Sequence, residues 1–147
     1  MIDSNEHIQL LEDFAKENPS APQQWNVFIK VDTGYHRAGV MTTSPSLSKF
    51  IQQAEASPAV AINGFYCHAG HSYKARNADE AVAVLQSEVE GVVAAASNLP
   101  GDREVVVSVG STPAAHVVQS LKTTIPSNVK LELHAGENHI YTAFMQR

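Results

Sequence analysis

The chain has 147 residues, enough for one ordinary domain with its own hydrophobic core. Hydrophobic residues make up 44% and charged residues 17%, a globular rather than a disordered composition. A net charge of −5 and a pI near 5.7 leave no basic stripe to displace counterions from phosphates, which argues against a nucleic-acid partner. The single cysteine, Cys67, excludes an internal disulfide framework and fits a reducing compartment. No run approaches the roughly 18 apolar residues of a membrane span, and residues 1–7 lack the basic and apolar regions of a signal peptide. A cytoplasmic protein without a membrane partner is expected.

In chain order, Asp3 or Ser4 is placed to cap a helix over residues 5–17, with Ile8, Leu11, Phe14 and Ala15 on one face. A loop rich in proline, at Pro19 and Pro22, follows it. Residues 26–32 read as a buried strand. Ser44 and Pro45, a cap and a first helical position, begin a helix over 45–56 with Leu47, Phe50, Ile51 and Ala54 inward. Residues 60–67 form a second strand. Asn77, Asp79 and Glu80 start a long helix to about residue 98, its apolar face made by Ala81, Val82, Leu85, Val89, Val92, Val93 and Ala96. Residues 104–110 form a third strand. Ser111 or Thr112 caps a short helix with Ala114, Val117, Val118 and Leu121 inward, and residues 129–134 form a fourth strand.

Helices alternating with strands imply an α/β fold with a parallel sheet. Periodicity leaves two architectures open, a small doubly wound sheet and half of a (β/α)8 barrel. In either, reactive groups gather where strands run into loops. Of the seven histidines, His36, His68, His71, His134 and His139 fall at such ends.

Alternation along the first strand puts Phe28, Lys30 and Asp32 on one face and Val27, Ile29 and Val31 on the other. Lys30 and Asp32 form either a structural ion-paired layer or a support for a catalytic group. Arg37, beyond a glycine turn, suits donation to an anionic ligand. An exposed loop arginine is the plainer reading. His68 and His71 are too few for a metal site, and Cys67 and His68 point to opposite faces of their strand, so no metal ligand is assigned. An imidazole lying against a flat cofactor fits His68 better. Gly110, Ser111 and Thr112 before a helix make either a phosphate cradle or an ordinary cap. Gly136 on the next strand end strengthens the phosphate reading.

The segments VDTGYHRAGV (31–40), GFYCHAGHSY (64–73), VSVGSTPAAHV (107–117) and LELHAGEN (131–138) together resemble the D-serine dehydratase and D-threonine aldolase family, relatives of the alanine racemase barrel. The resemblance implies a partial (β/α)8 TIM barrel of about four βα units, strands five to eight, with residues 1–147 as one partial domain. It implies pyridoxal 5'-phosphate as cofactor. Arg37 would donate to its phenolic oxygen, His68 would stack on its ring, and Ser111, Thr112 and Gly136 would hold its phosphate. Tyr73 would face phosphate or substrate, with Lys30 and Asp32 in support. The implied substrate is a D-serine-like amino acid, converted to pyruvate and ammonia.

The family's Schiff-base lysine and its zinc-binding β-domain lie in segments that these residues do not match, so no catalytic residue is assigned. The chain is expected to be a catalytically incomplete piece of a lyase. A non-catalytic half-barrel that holds pyridoxal phosphate and a D-threonine aldolase-like lyase are the alternatives. Half a barrel would expose two unpaired strand edges and an open apolar interior, so a homodimer or other self-association is expected.

Overall fold

Three apolar helices and a run of β-branched strands have one economical arrangement, with the helices covering one side of a parallel sheet. The computed structural model, which describes residues 1–99, 101 and 103–135, has this form. The strands are β1 (Trp25–Asp32), β2 (Val40–Met41), β3 (Val60–Tyr66), β4 (Val105–Val109) and β5 (Val129–Leu133). They lie in the order β2-β1-β3-β4-β5, every pairing parallel. Helices α1 (Asn5–Glu17), α2 (Ser46–Ala56), α3 (Ala78–Ala96) and the four-residue α4 (Thr112–Ala115) complete the regular structure of the described residues, with 3-10 turns at Gly70–Lys74 and Val118–Ser120.

The burial pattern resolves the choice of architecture. Val27, Ile29, Val31, Phe65, Cys67, Val105, Val107, Val109 and Leu133 join one core cluster with Ile8 of α1, Phe50 and Ile51 of α2, and Leu85, Val89 and Val92 of α3. The alternate positions, Phe28, Lys30, Tyr66, Val106 and Glu132, are only partly buried. A doubly wound sheet would cover both faces with helices. Here the core lies on one side, as in the wall of a barrel.

The two sides of β3 are not set by simple alternation. Val27 pairs with Ile62 but Phe28 pairs with Gly64, so Asn63 is an extra residue in the ladder. Before it, Val60 and Ile62 face the core; after it, Phe65 and Cys67 do. Gly64 beyond this bulge lies against β4, where a Cβ would fall 1.9 Å from the carbonyl oxygen of Val106.

Several expectations are corrected. β2 was not anticipated; together with Ile2 it covers the outer edge of β1. The Ile2 N–H donates to the Phe28 carbonyl at 2.9 Å, the Lys30 N–H to Ile2 at 2.8 Å, and the Thr42 N–H to Asp32 at 3.1 Å. These bonds pair the outer edge of β1 at Phe28, Lys30 and Asp32 and leave β2 and β5 at the edges of the described sheet. The face away from the helices carries Lys30, Tyr66 and His134 rather than a purely apolar lining. Phe14 is not inward but 49% exposed, set edge-on against Trp25. Ser4 and Asp3 make no side-chain cap to α1; the Asp3 carboxylate instead accepts from the Gly39 N–H. Pro45 precedes α2 rather than opening it. The helix expected after residue 112 breaks at His116 into α4 and a 3-10 turn, where the β-branched pair Val117 and Val118 disfavours helical continuation.

Candidate functional site

The carboxyl ends of the strands converge on the side of the sheet that faces away from the helices. Lys30 of β1, Tyr66 of β3, Ser108 of β4 and Glu132 of β5 share it, followed by His68 and His134 just past their strands. The Tyr66 and His134 rings are stacked, centroids 4.5 Å apart and planes 9° from parallel. His68 continues the stack at 6.1 Å from His134. The Lys30 ammonium lies 5.2 Å from the Tyr66 ring centroid, a cation–π distance. The Ser108 hydroxyl hydrogen-bonds His134 Nδ1 at 3.2 Å, and His134 Nε2 is buried with no hydrogen-bond partner among the described residues.

Electrostatics follow from this crowding. Burial, then the neighbouring His68 and Lys30 charges, push His134 down to about 4. His68 is lowered in the same way, by burial and then by Arg37 and Lys30. Burial raises Tyr66, and the Glu88 charge adds to it. Near neutrality the site therefore presents neutral imidazoles and a neutral phenol beside two cations. Such an arrangement attracts an anion and offers flat surfaces to a flat ring.

The loop after β1 is held by Asp32. Its Oδ1 accepts the backbone N–H groups of Gly34, Tyr35 and His36 at 2.9, 2.9 and 3.1 Å. Burial raises the Asp32 pKa, but these donors outweigh it, with His36 assisting, and the carboxyl ends below its ordinary range. His36 takes a left-handed φ of 57° within this turn, its Nδ1 3.3 Å from Asp32 Oδ2. The turn presents Tyr35, whose ring reaches toward His68 and His71 at 6.3 and 6.1 Å. Arg37 is exposed, its guanidinium 5.5 Å from the Tyr35 ring.

Between the loops after β3 and β4 two hydroxyl contacts form. Ser72 and Ser111 are both buried, their oxygens 2.6 Å apart. The Tyr73 hydroxyl donates to Thr112 Oγ1 at 3.3 Å. Ser111 also accepts from the Ala114 N–H, so it fills the ordinary role of helix cap. Gly110 has a φ of 134°, and a Cβ there would sit 2.3 Å from the His134 carbonyl oxygen. Only glycine lets the ends of β4 and β5 approach this closely.

The residues singled out from sequence, Lys30, Asp32, Arg37, His68, Tyr73, Ser111 and Thr112, thus lie on one edge of the sheet. Gly136 and His139 fall outside the described residues. Lys30 and Asp32 do not pair with each other; one lies against Tyr66 and the other braces the turn. Sequence reasoning passed over Tyr66, Ser108 and Glu88. Strand register would have found the first two, because Lys30 pairs with Tyr66 and Tyr66 with Ser108.

Comparison with known proteins agrees with this fold. Residues 1–125 match the family described as alanine racemase, N-terminal domain. D-serine dehydratase of Schizosaccharomyces pombe is 36% identical over 142 residues, covering 92% of this chain and 34% of that protein. The structure of D-threo-3-hydroxyaspartate dehydratase from a Delftia species superposes with a TM-score of 0.71 at 30% identity, covering 92% of this chain and 34% of its own. An alanine racemase-like protein from Idiomarina loihiensis superposes equally well, with a TM-score of 0.71, 27% identity, and 92% and 33% coverage. The chain therefore spans about a third of the length of the relatives it matches. The parallel sheet with helices on one side is consistent with part of a (β/α)8 barrel.

Proposed function

The chain belongs to the alanine racemase N-terminal domain family, and on that premise we propose that it forms the cofactor-holding part of a pyridoxal-phosphate-dependent dehydratase acting on a D-serine-like amino acid. The observation that carries the reading is the flat, cationic wall at the strand ends: Tyr66, His134 and His68 in a stack, with Lys30 over one ring and Arg37 beside the next loop. A planar anionic heterocycle matches such a wall in shape and in charge. Two relatives bear names that describe water removal from hydroxylated D-amino acids, D-serine dehydratase and D-threo-3-hydroxyaspartate dehydratase. The overall reaction is loss of water and then ammonia, leaving pyruvate.

When bound, pyridoxal phosphate supplies an electron sink for charge developing at the substrate α-carbon. This chain's residues bind and orient it. His68 packs against the ring. Arg37, permanently charged, donates to the phenolic oxygen. Thr112 and Tyr73 hydroxyls, with the loop capped by Ser111, serve the phosphate. Asp32 holds the Arg37 loop, and Lys30 adds its charge to the burial that keeps His134 and His68 neutral. No catalytic lysine and no zinc ligand is assigned to this chain.

The test is titration of the protein with pyridoxal phosphate, followed by absorbance and by quenching of tyrosine fluorescence. Saturable binding that weakens in R37A and H68A is expected. Binding unchanged in both variants, or none in the wild type, would overturn the assignment. D-serine turnover, read as pyruvate release, separates a chain that suffices for the reaction from one that only holds the cofactor.

A further inference from the structure

Helix α3 buries a carboxyl where its pattern calls for an apolar side chain. Glu88 follows Leu85 by three positions and precedes Val92 by four, on the face packed against the sheet, and it is 0% exposed. An ionised carboxylate there is costly, and valine or leucine would fill the space without that cost. Burial raises its pKa, against lowering contributions from the Gly110 backbone, the Cys67 side chain, the Ala69 backbone and Lys30.

What the carboxyl does is specific. Its Oε1 accepts the backbone N–H of Ala69 at 2.9 Å. Ala69 is fully buried and lies beyond the end of β3, in a turn of irregular backbone geometry (φ −86°, ψ 69°). Without Glu88 that N–H would be an orphaned buried donor. The same short segment carries the site. His68, one residue before, faces the open side of the sheet. Ser72, whose N–H donates to the Ala69 carbonyl at 2.9 Å, pairs with Ser111 in the next loop. Glu88 thus grips, from the helix side, the backbone whose other side presents the candidate cofactor contacts, and it lies beside Gly110 of the adjoining loop.

We infer that Glu88 is a positioning residue for the cofactor site: its carboxyl, by accepting the Ala69 N–H, fixes the turn that aims His68 and brings Ser72 to Ser111. This rests on the pyridoxal phosphate reading above. A purely space-filling role makes a different prediction, because a leucine of similar size would then serve as well as or better than the glutamate.

The test compares Glu88→Gln, which keeps the acceptor oxygen, with Glu88→Leu, which keeps the volume and removes it; both are neutral. Amide hydrogen exchange at Ala69 and pyridoxal phosphate affinity are the two readouts, with thermal melting as a check on the fold. In E88Q both should stay within about twofold of wild type, while E88L should exchange Ala69 roughly tenfold faster and bind about tenfold more weakly, the scale of one lost hydrogen bond. Native Ala69 protection and affinity in E88L would overturn the proposal, as would equal damage in the two variants. If E88L does not fold, E88Q decides: retained protection and affinity support the role, and their loss refutes it. Failure of the wild-type chain to bind pyridoxal phosphate would sink the cofactor reading, whereas Ala69 exchange would still report on Glu88.

Discussion

Tyr66 and His134 stack face to face across an intervening strand, with 4.5 Å between their ring centroids. They belong to β3 and to the end of β5, with β4 between them. Next-nearest strands lie about 9–10 Å apart, so two rings meet only if the middle strand offers little bulk. β4 presents Ser108 and then Gly110 there, and the Ser108 hydroxyl bonds to the imidazole it lies beneath. A small polar residue thereby creates a broad flat surface from two large ones.

That stack makes stability depend on pH. His134 is lowered to about 4 from an ordinary 6.5. Between these values the native state binds fewer protons than the unfolded chain, so acidification favours unfolding. The contribution is fully present above pH 6.5 and is lost as pH falls toward 4. Urea denaturation across this interval should show a slope that is shallower in H134Q, with a residue from His68, which is shifted the same way. An identical slope in wild type and H134Q would contradict the buried imidazole.

Asp32 has the opposite sign of dependence on charge. Its carboxyl is depressed by three backbone donors, so its stabilisation is present above the unfolded value and disappears as pH drops through the lower folded one. Asp32→Ala should cost about 2 kcal/mol at neutral pH, the range for hydrogen bonds to a charged acceptor. The difference from wild type should close in strong acid. Denaturation of both proteins at neutral and acid pH measures it; equal stability at neutral pH would show that the turn holds itself.

The buried hydroxyl pair predicts non-additivity. Ser111→Ala leaves the Ser72 hydroxyl without its 2.6 Å partner and removes the cap from the Ala114 N–H. A loss of about 1–3 kcal/mol is expected. Adding Ser72→Ala should cost less than it does alone, since its unsatisfied partner is already gone. A double-mutant cycle with no coupling energy would count against a hydrogen bond between them.

Cys67 should be inert in the folded protein. It is 1% exposed, and burial, reinforced by the Glu88 charge, lifts its thiol to about 11. Almost no thiolate exists near neutrality, and the thiolate is the reactive form. Alkylation should follow unfolding, becoming complete in denaturant while remaining negligible in buffer. Rapid labelling of the native protein would place the sulfur at the surface.

How far the sequence reveals this structure depends on which signal a residue carries. α1, α2 and α3 announce themselves through apolar spacing, and the strands through β-branched runs; their positions agree with the structure to within a residue or two. β2 has two residues, Val40 and Met41, too short for any period. Glu88 is invisible to a hydropathy pattern because its burial is justified by one backbone N–H in a distant loop. The candidate ligands were found because polar groups gathered at strand ends, a feature of topology. Tyr66 escaped because it sits inside a strand, where its meaning depends on the register with Lys30 and Ser108.

The extra residue at Asn63 turns an arithmetic property of the chain into a chemical one. Side chains alternate with a period of two, so one unpaired position exchanges the two faces for everything downstream. With Asn63 present, Phe65 and Cys67 meet the helices while Tyr66 and His68 look outward. Flattening the bulge, so that Asn63 took a paired place in the ladder, would send the phenol and the imidazole into an oily wall and bring the phenyl ring and the thiol to the surface, although no residue of the site had been altered. Deleting Asn63 would preserve the assignment, because Ile62 and Gly64 already lie opposite consecutive residues of β1. The identity of this edge is therefore partly a matter of odd and even, set by which residue a strand leaves unpaired as much as by the letters written in it.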